Sequence, residues 1–226
     1  NYSGTGATIR GTGSSITVDF SAVATSGTLS VTATNACGTS VARALAVVVE
    51  PAFYVDIASG MDDLGHGSRS APWRTVNYAL SQVSGVSGAP AEIRVAQGTY
   101  PGSITLKPFV ELYGGFEGGG WTRDLQANET VLDGGGSTLH VVVGADNARI
   151  DGFTIRGGNA AAASPDHVGG GVYCNGTSPV VVNNRIVANR ATNGGAGIYC
   201  GGACAGQFVG NRLAGNESTA NISPGP

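Results

Sequence analysis

The chain repeats itself, and the repeat restricts the folds open to it. GGGVYCNGTSPVVVNNRIVANR (169–190) is followed by GGAGIYCGGACAGQFVGNRLAGN (194–216). Cys200 lies 26 residues after Cys174, and Asn211 lies 27 after Asn184. A self-similar period of about 20–50 residues is the mark of a solenoid, in which each copy is one coil. Equivalent residues of adjacent coils then stack at the spacing of neighbouring strands, about 4.7–4.9 Å. The spacing predicts Tyr173 on Tyr199, Ile186 on Leu213, Asn184 on Asn211 and Asn189 on Asn216. Stacked asparagines can bond to one another and to turn backbone, forming a ladder. Ile155, in GFTIRGG (152–158), extends the inner row one coil earlier. That step is longer, at 31 residues, and NAAAASPDHV (159–168) is the loop expected to absorb the excess.

Composition agrees with a β structure and removes several functions. The chain of 226 residues has 38 glycines, 12% charged residues, a single lysine (Lys107) and a net charge of −3. Aliphatic residues are too plentiful for a disordered chain, and glycine has no three-residue period, which excludes collagen. Val and Thr with frequent Gly turns favour strands. No cluster of Lys and Arg points to nucleic acid. No apolar run approaches the ~20 residues of a membrane-spanning helix. The start shows no signal-peptide pattern and Asn1 follows no initiator Met, so a processed or excised piece is expected. Low lysine with abundant Thr, Asn and Gly is similar to secreted bacterial surface proteins, and the expected location is extracellular or at a cell surface.

Two textures divide the chain. Residues 1–50 read as short half-buried strands: SITVDF (15–20), TLSVTATNA (28–36) and VARALAVVVE (41–50) alternate apolar and polar positions. TNACGTSVARALAVVV (34–49) resembles the last hairpin of bacterial PKD-like, immunoglobulin-like domains, and GATIRGTGSSITVDF (6–20) resembles the strands before it. Such a sandwich needs about seven strands and ~100 residues, and about half are here. The expectation is a chain that begins within the domain; the alternative is a sheet completed by a neighbouring chain, a route to self-assembly through an unpaired edge.

Pro51 marks the boundary to a second pattern. Residues 53–57 read as a strand, 59–70 as turns, and Thr75 as the N-cap of a short helix burying Val76, Ala79, Leu80 and Val83 at i, i+3, i+4 and i+7. With Tyr54-Val55-Asp56, Gly60, Asp62 and Pro72-Trp73-Arg74-Thr75, this module resembles the N-terminal cap of right-handed parallel β-helix proteins of the pectin-lyase-like superfamily. A cap covers the open edge and apolar end of the first coil. Strands are then expected at 92–96, 110–116, 130–134, 140–144 and 148–158. IVANRATNGGAGIY (186–199) also resembles repeats of bacterial adhesins and autotransporter passengers. The expected fold is therefore all-β: a partial immunoglobulin-like β-sandwich (1–50), a capping module with one short helix (51–90), and right-handed parallel β-helix coils (91–226) that continue beyond NISPGP (221–226).

The superfamily resemblance implies enzymes that use calcium-binding aspartates and an Arg or Lys base on one outer face. Asp133, Asp151 and Arg156 are the nearest set, with Asp146 and Arg149 beside them. The competing reading, which we favour, is turn capping, because Asp-Gly is a preferred turn pair. No clustered carboxylate pair of the glycoside-hydrolase kind stands out. Asp56, Asp62 and Asp63 with Gly60 and Gly65 are a calcium candidate, against an exposed polar turn. His66, His140 and His167 are read as single surface or loop histidines. Trp73, Tyr78, Tyr100, Tyr113 and Trp121 are read as packing residues rather than a sugar platform. Among the cysteines the favoured disulfide is Cys200–Cys204; Cys174–Cys200 is the alternative, since stacked Cα atoms fall in the bonding range, and Cys37 stands apart. The function expected is a noncatalytic extracellular adhesin, stalk, matrix or filament protein, with polysaccharide or surface glycans as partners. The alternative is a calcium-assisted polysaccharide lyase or glycoside hydrolase.

Overall fold

The structure is a computed structural model that describes residues 1–11, 16–20, 26–47, 52–161 and 167–219. Ser15, residues 48–50, Pro51, the middle of the 159–168 loop and the terminal NISPGP lie outside them. The chain divides into two compact units, Asn1–Pro51 and Ala52–Pro226.

The first unit contains three antiparallel pairs: Ala7–Arg10 with Thr17–Phe20, Gly27–Val31 with Arg43–Val47, and Thr34–Asn35 with Gly38–Thr39. Its alternation puts Leu29 opposite Leu45. None of its described residues is buried.

The second unit is a parallel β-helix with three sheets. The first stacks Ala52–Val55, Ala91–Ala96, Val110–Phe116, Arg149–Asp151, Val180–Val182 and Gln207–Val209. The second stacks Gly98–Pro101, Thr130–Thr138, Thr154–Ala160, Arg185–Val187 and Arg212–Ala214. The third stacks Ile104–Thr105, Val142–Val143, Val172–Asn175 and Ile198–Gly201. Each sheet sends one row of apolar side chains inward. Ile93, Leu112, Ile150 and Val181 are in register and fully buried, with Phe208 next in the row. Tyr100, Leu132, Ile155, Ile186 and Leu213 form the second row. Ile104, Val142, Val172 and Ile198 form the third. Each fully buried aliphatic side chain contributes about 1.5–3 kcal/mol, so the core is a column of repeated layers. The stacks predicted from the repeat all occur: Tyr173 on Tyr199, Ile186 on Leu213, and the two asparagine pairs at 2.9–3.1 Å contacts to backbone and to each other.

The cap follows from local chemistry. The helix Val76–Gln82 starts where the Thr75 hydroxyl accepts from the Tyr78 N–H, and Asp62 in turn accepts from the backbone N–H of Arg74 and Thr75 and from the Thr75 hydroxyl. Val76, Ala79, Leu80 and Val83 are buried as the helical spacing requires. Lys107 donates to the Val83 carbonyl at 2.7 Å, satisfying the helix end. Among the described residues no helix is long and apolar enough to cross a membrane.

Candidate functional site

An insertion, residues 117–129, leaves the helix after Val110–Phe116 and folds back over the outer face of the first sheet. Trp121 packs edge-on against Tyr54 at 4.6 Å and donates its indole N–H to the Arg69 carbonyl. Leu125 seats on two glycines, Gly115 and Gly152. At Gly152, with φ +83°, a Cβ would lie 2.5 Å from Leu125 Cδ2 and 2.7 Å from Arg123 Nη2. Only glycine lets the insertion close on this corner.

The covered face carries alternating charges and rings. Glu92, Glu111 and Arg149 stand in one register row, and Tyr54, Arg94, Tyr113 and Asp151 in the next. Glu92 accepts from Arg94 at 2.6 Å, and Tyr113 donates to Glu111 at 2.9 Å. The Tyr113 ring lies between the Arg123 and Arg149 guanidinium groups, at 5.3 and 5.5 Å. Burial, then Glu111, pushes the Tyr113 hydroxyl up to about 12. Asp151 sits at the centre with its side chain 4% exposed. One oxygen accepts from Arg123 at 2.7 Å and Asn183 at 3.2 Å, the other from Arg149 at 2.8 Å. Burial alone would raise the Asp151 carboxyl, but these three donors hold it below the usual carboxylate range. Burial likewise opposes the charge on Arg149, yet the hydrogen bond from Arg149 to Asp151 and the neighbouring Tyr113 raise the guanidinium above its ordinary value.

Beside this network lies a groove of about 320 Å³ between the insertion and the Gly152–Thr154 corner. Glu129 crosses it, accepting from the Thr154 hydroxyl at 2.8 Å and from Arg185 at 3.2 Å.

The structure separates the expected catalytic set. Asp151 and Arg149 meet on the first sheet, whereas Asp133 and Arg156 are register partners on the second, paired at 2.8 Å. The turn at Gly152 swings the chain from one sheet to the other, so the three residues do not share a face. Asp146 accepts from the Ser178 N–H and holds a turn. The three cap aspartates also part company. Asp56 is buried on the Ala58 N–H and the Ser59 hydroxyl, Asp62 caps the helix, and Asp63 bonds Gly65 and His66. His66, then the Gly65 N–H, lowers the Asp63 carboxyl. Among the described residues no three His, Cys, Asp or Glu side chains are placed to hold a metal ion. His140 corrects the surface reading: it is 9% exposed and stacks on Tyr173 at 4.3 Å, which itself stacks on Tyr199. Trp73, Tyr100 and Trp121 are buried packing residues.

Residues 58–225 match the model of a family described as protein of unknown function, DUF1565. The chain belongs to that family. No curated protein and no solved structure matches it. In this DUF1565 chain the sequence reasoning passed over Arg123, Glu111, Glu129 and Arg185, and it read Tyr113 as a packing residue, whereas its hydroxyl donates to Glu111. A signal for part of the set was present, since Glu92/Arg94, Glu111/Tyr113 and Arg149/Asp151 are i, i+2 polar pairs on successive strands.

Cys200 and Cys204 form a disulfide with Cα atoms 5.6 Å apart. Cys174, the register partner of Cys200, is a buried free thiol that burial pushes up to about 12, and Cys37 is free and exposed. A thiol reagent at neutral pH is expected to label Cys37 in the native chain and to reach Cys174 only after denaturation, because the thiolate is the reactive form. Rapid native labelling of both would contradict this burial.

Proposed function

We propose that this chain belongs to a noncatalytic extracellular surface protein in which a right-handed β-helix serves as a rigid stalk or display rod. Right-handedness is the expected hand for parallel strands joined by crossovers. The carrying observation is the self-neutralisation of the outer face: both oxygens of Asp151 are occupied, and Arg149 is raised rather than lowered. A lyase base has to take up a proton near working pH, and a calcium site needs carboxylate oxygens free to coordinate. The first unit reads as part of a PKD-like, immunoglobulin-like domain. The exposed apolar side chains of Ile9, Phe20, Val31 and Leu45 support completion of its sheets by further β structure, including a strand from a second copy. A bacterial cell surface is the location this reading implies.

The second reading, a calcium-assisted polysaccharide lyase, draws on the charged rows of the first sheet. A panel assay separates the two. The chain, with calcium or with chelator, is incubated with pectate, alginate, glycosaminoglycan and neutral glycans. No new unsaturated or reducing ends are expected. Calcium-dependent cleavage lost in Arg156→Ala or Asp151→Asn would put the enzyme first.

A further inference from the structure

We infer that the groove between the insertion and the Gly152–Thr154 corner binds an uncharged, hydroxyl-rich saccharide. Its volume, about 320 Å³, falls at the lower end of the ~300–1,000 Å³ typical of small-ligand sites. Its walls mix donors, acceptors and one apolar surface. Glu129 uses one oxygen on Thr154 and Arg185, and its Oε2 has no protein partner among the described residues. Arg185 commits one amino group to Glu129 and keeps its other N–H groups. Asn183 donates to Asp151 and keeps its side-chain oxygen as an acceptor. The Gln126 backbone N–H donates to Asp124, and its side-chain amide has no hydrogen-bond partner among the described residues. Leu125, 42% exposed, supplies the apolar wall and is held in place by Gly115 and Gly152.

A sugar has the complementary surface. Each hydroxyl both donates and accepts, matching a wall of carboxylate, guanidinium and amides. The C–H face of the ring buries apolar area against Leu125. Charge decides between sugar classes. Glu129 pairs with Arg185, Asp151 pairs with both Arg123 and Arg149, and Glu111 stands beside Arg149 in the same register row, so a uronate or sulfate would bring an uncompensated charge. Glycines and hydrogen bonds fix the walls before a ligand arrives, which reduces the ordering cost of binding. The inference rests on the noncatalytic surface reading only in expecting retention without turnover.

The test titrates the intact chain with cellohexaose, xylohexaose, laminarihexaose and chitohexaose, and with hexagalacturonate as the acidic comparison. At least one neutral hexaose is expected to bind, shifting backbone amide signals at 125–129, 152–154 and 183–185. Glu129→Gln is expected to weaken binding by about tenfold or more, the loss of one charge-assisted hydrogen bond, and Leu125→Asp to abolish it. Unchanged circular dichroism and melting temperature would show that both variants fold. Absence of binding by every neutral hexaose at millimolar concentration overturns the inference. So do preference for hexagalacturonate, shifts that map elsewhere, and affinity unchanged in both variants. Those outcomes leave the stalk reading standing, whereas appearance of shortened oligosaccharides would overturn that reading instead.

Discussion

Asn189→Leu is expected to lower the unfolding free energy by about 3–5 kcal/mol, because a buried donor or acceptor left without a partner costs about 1–3 kcal/mol. Asn189 is fully buried. Its side-chain oxygen accepts from the Gly158 N–H at 2.9 Å, and its amide donates to Ile155 and Val187 carbonyls and to Asn216. Ile155 and Gly158 belong to the strand Thr154–Ala160 and Val187 ends the strand Arg185–Val187, so this one side chain ties together the backbone of adjacent coils. Leucine keeps the same number and branching of side-chain heavy atoms and supplies no polar atom, so the change removes the hydrogen bonds without opening a cavity, with some crowding added to the loss. Asn184→Leu should behave alike, since Asn184 serves the Phe153 N–H and the Ile150 carbonyl one turn away. Asn175→Ala, at an exposed strand end, is the control and should stay within about 0.5 kcal/mol. Urea denaturation of the three variants gives the comparison. A loss below about 1 kcal/mol for Asn189→Leu would mean that the ladder only decorates the turns.

The same ladder explains why part of the fold could be read from sequence. The last two repeats are 26 residues apart at Cys174 and Cys200 and 27 apart at the asparagines, so like residues recur at nearly one spacing and their stacking follows directly. The early coils offer no such guide. Gly98–Pro101 and the two-residue Ile104–Thr105 were not expected as strands. A proline within a strand argues against the assignment, and two residues show no period. Residues 148–158, expected as a single strand, break into two at the positive-φ Gly152. The charged network shows the same limit. Glu111 lies 19 residues after Glu92 but 38 before Arg149, because the insertion lengthens one coil, yet all three align in one row. Each polar pair is legible alone; which pairs become neighbours depends on coil lengths that only the fold reveals. Arg123 comes from the insertion itself, where no periodicity leads to it. Asp151 could be picked out in the sequence, but its partners could not.

Those partners make Asp151→Asn the second large effect. At pH 7 the variant is expected to be less stable by about 2–3 kcal/mol, since hydrogen bonds to a charged group contribute about 1.5–3 kcal/mol and two guanidinium groups lose their shared counter-charge. The figure is kept low because Arg123 and Arg149 are each about a third exposed, so water compensates part of the loss. The pH dependence gives the sharper result. The folded-state Asp151 carboxyl lies below its unfolded value, which is about 3.9. Its contribution is therefore present in full above that value and disappears as pH falls through the lower folded-state value. Asp63 and Asp124 are also lowered and slope the wild-type curve in the same direction, but both remain in the variant. The difference between the two proteins thus isolates Asp151. Urea midpoints measured from pH 7 down to pH 2 should show a constant gap above about pH 5 that closes at the acid end. A gap that persists at pH 2 would assign the effect to packing rather than to charge. No gap at pH 7 would mean that Arg123 and Arg149 do not depend on Asp151 as their counter-charge.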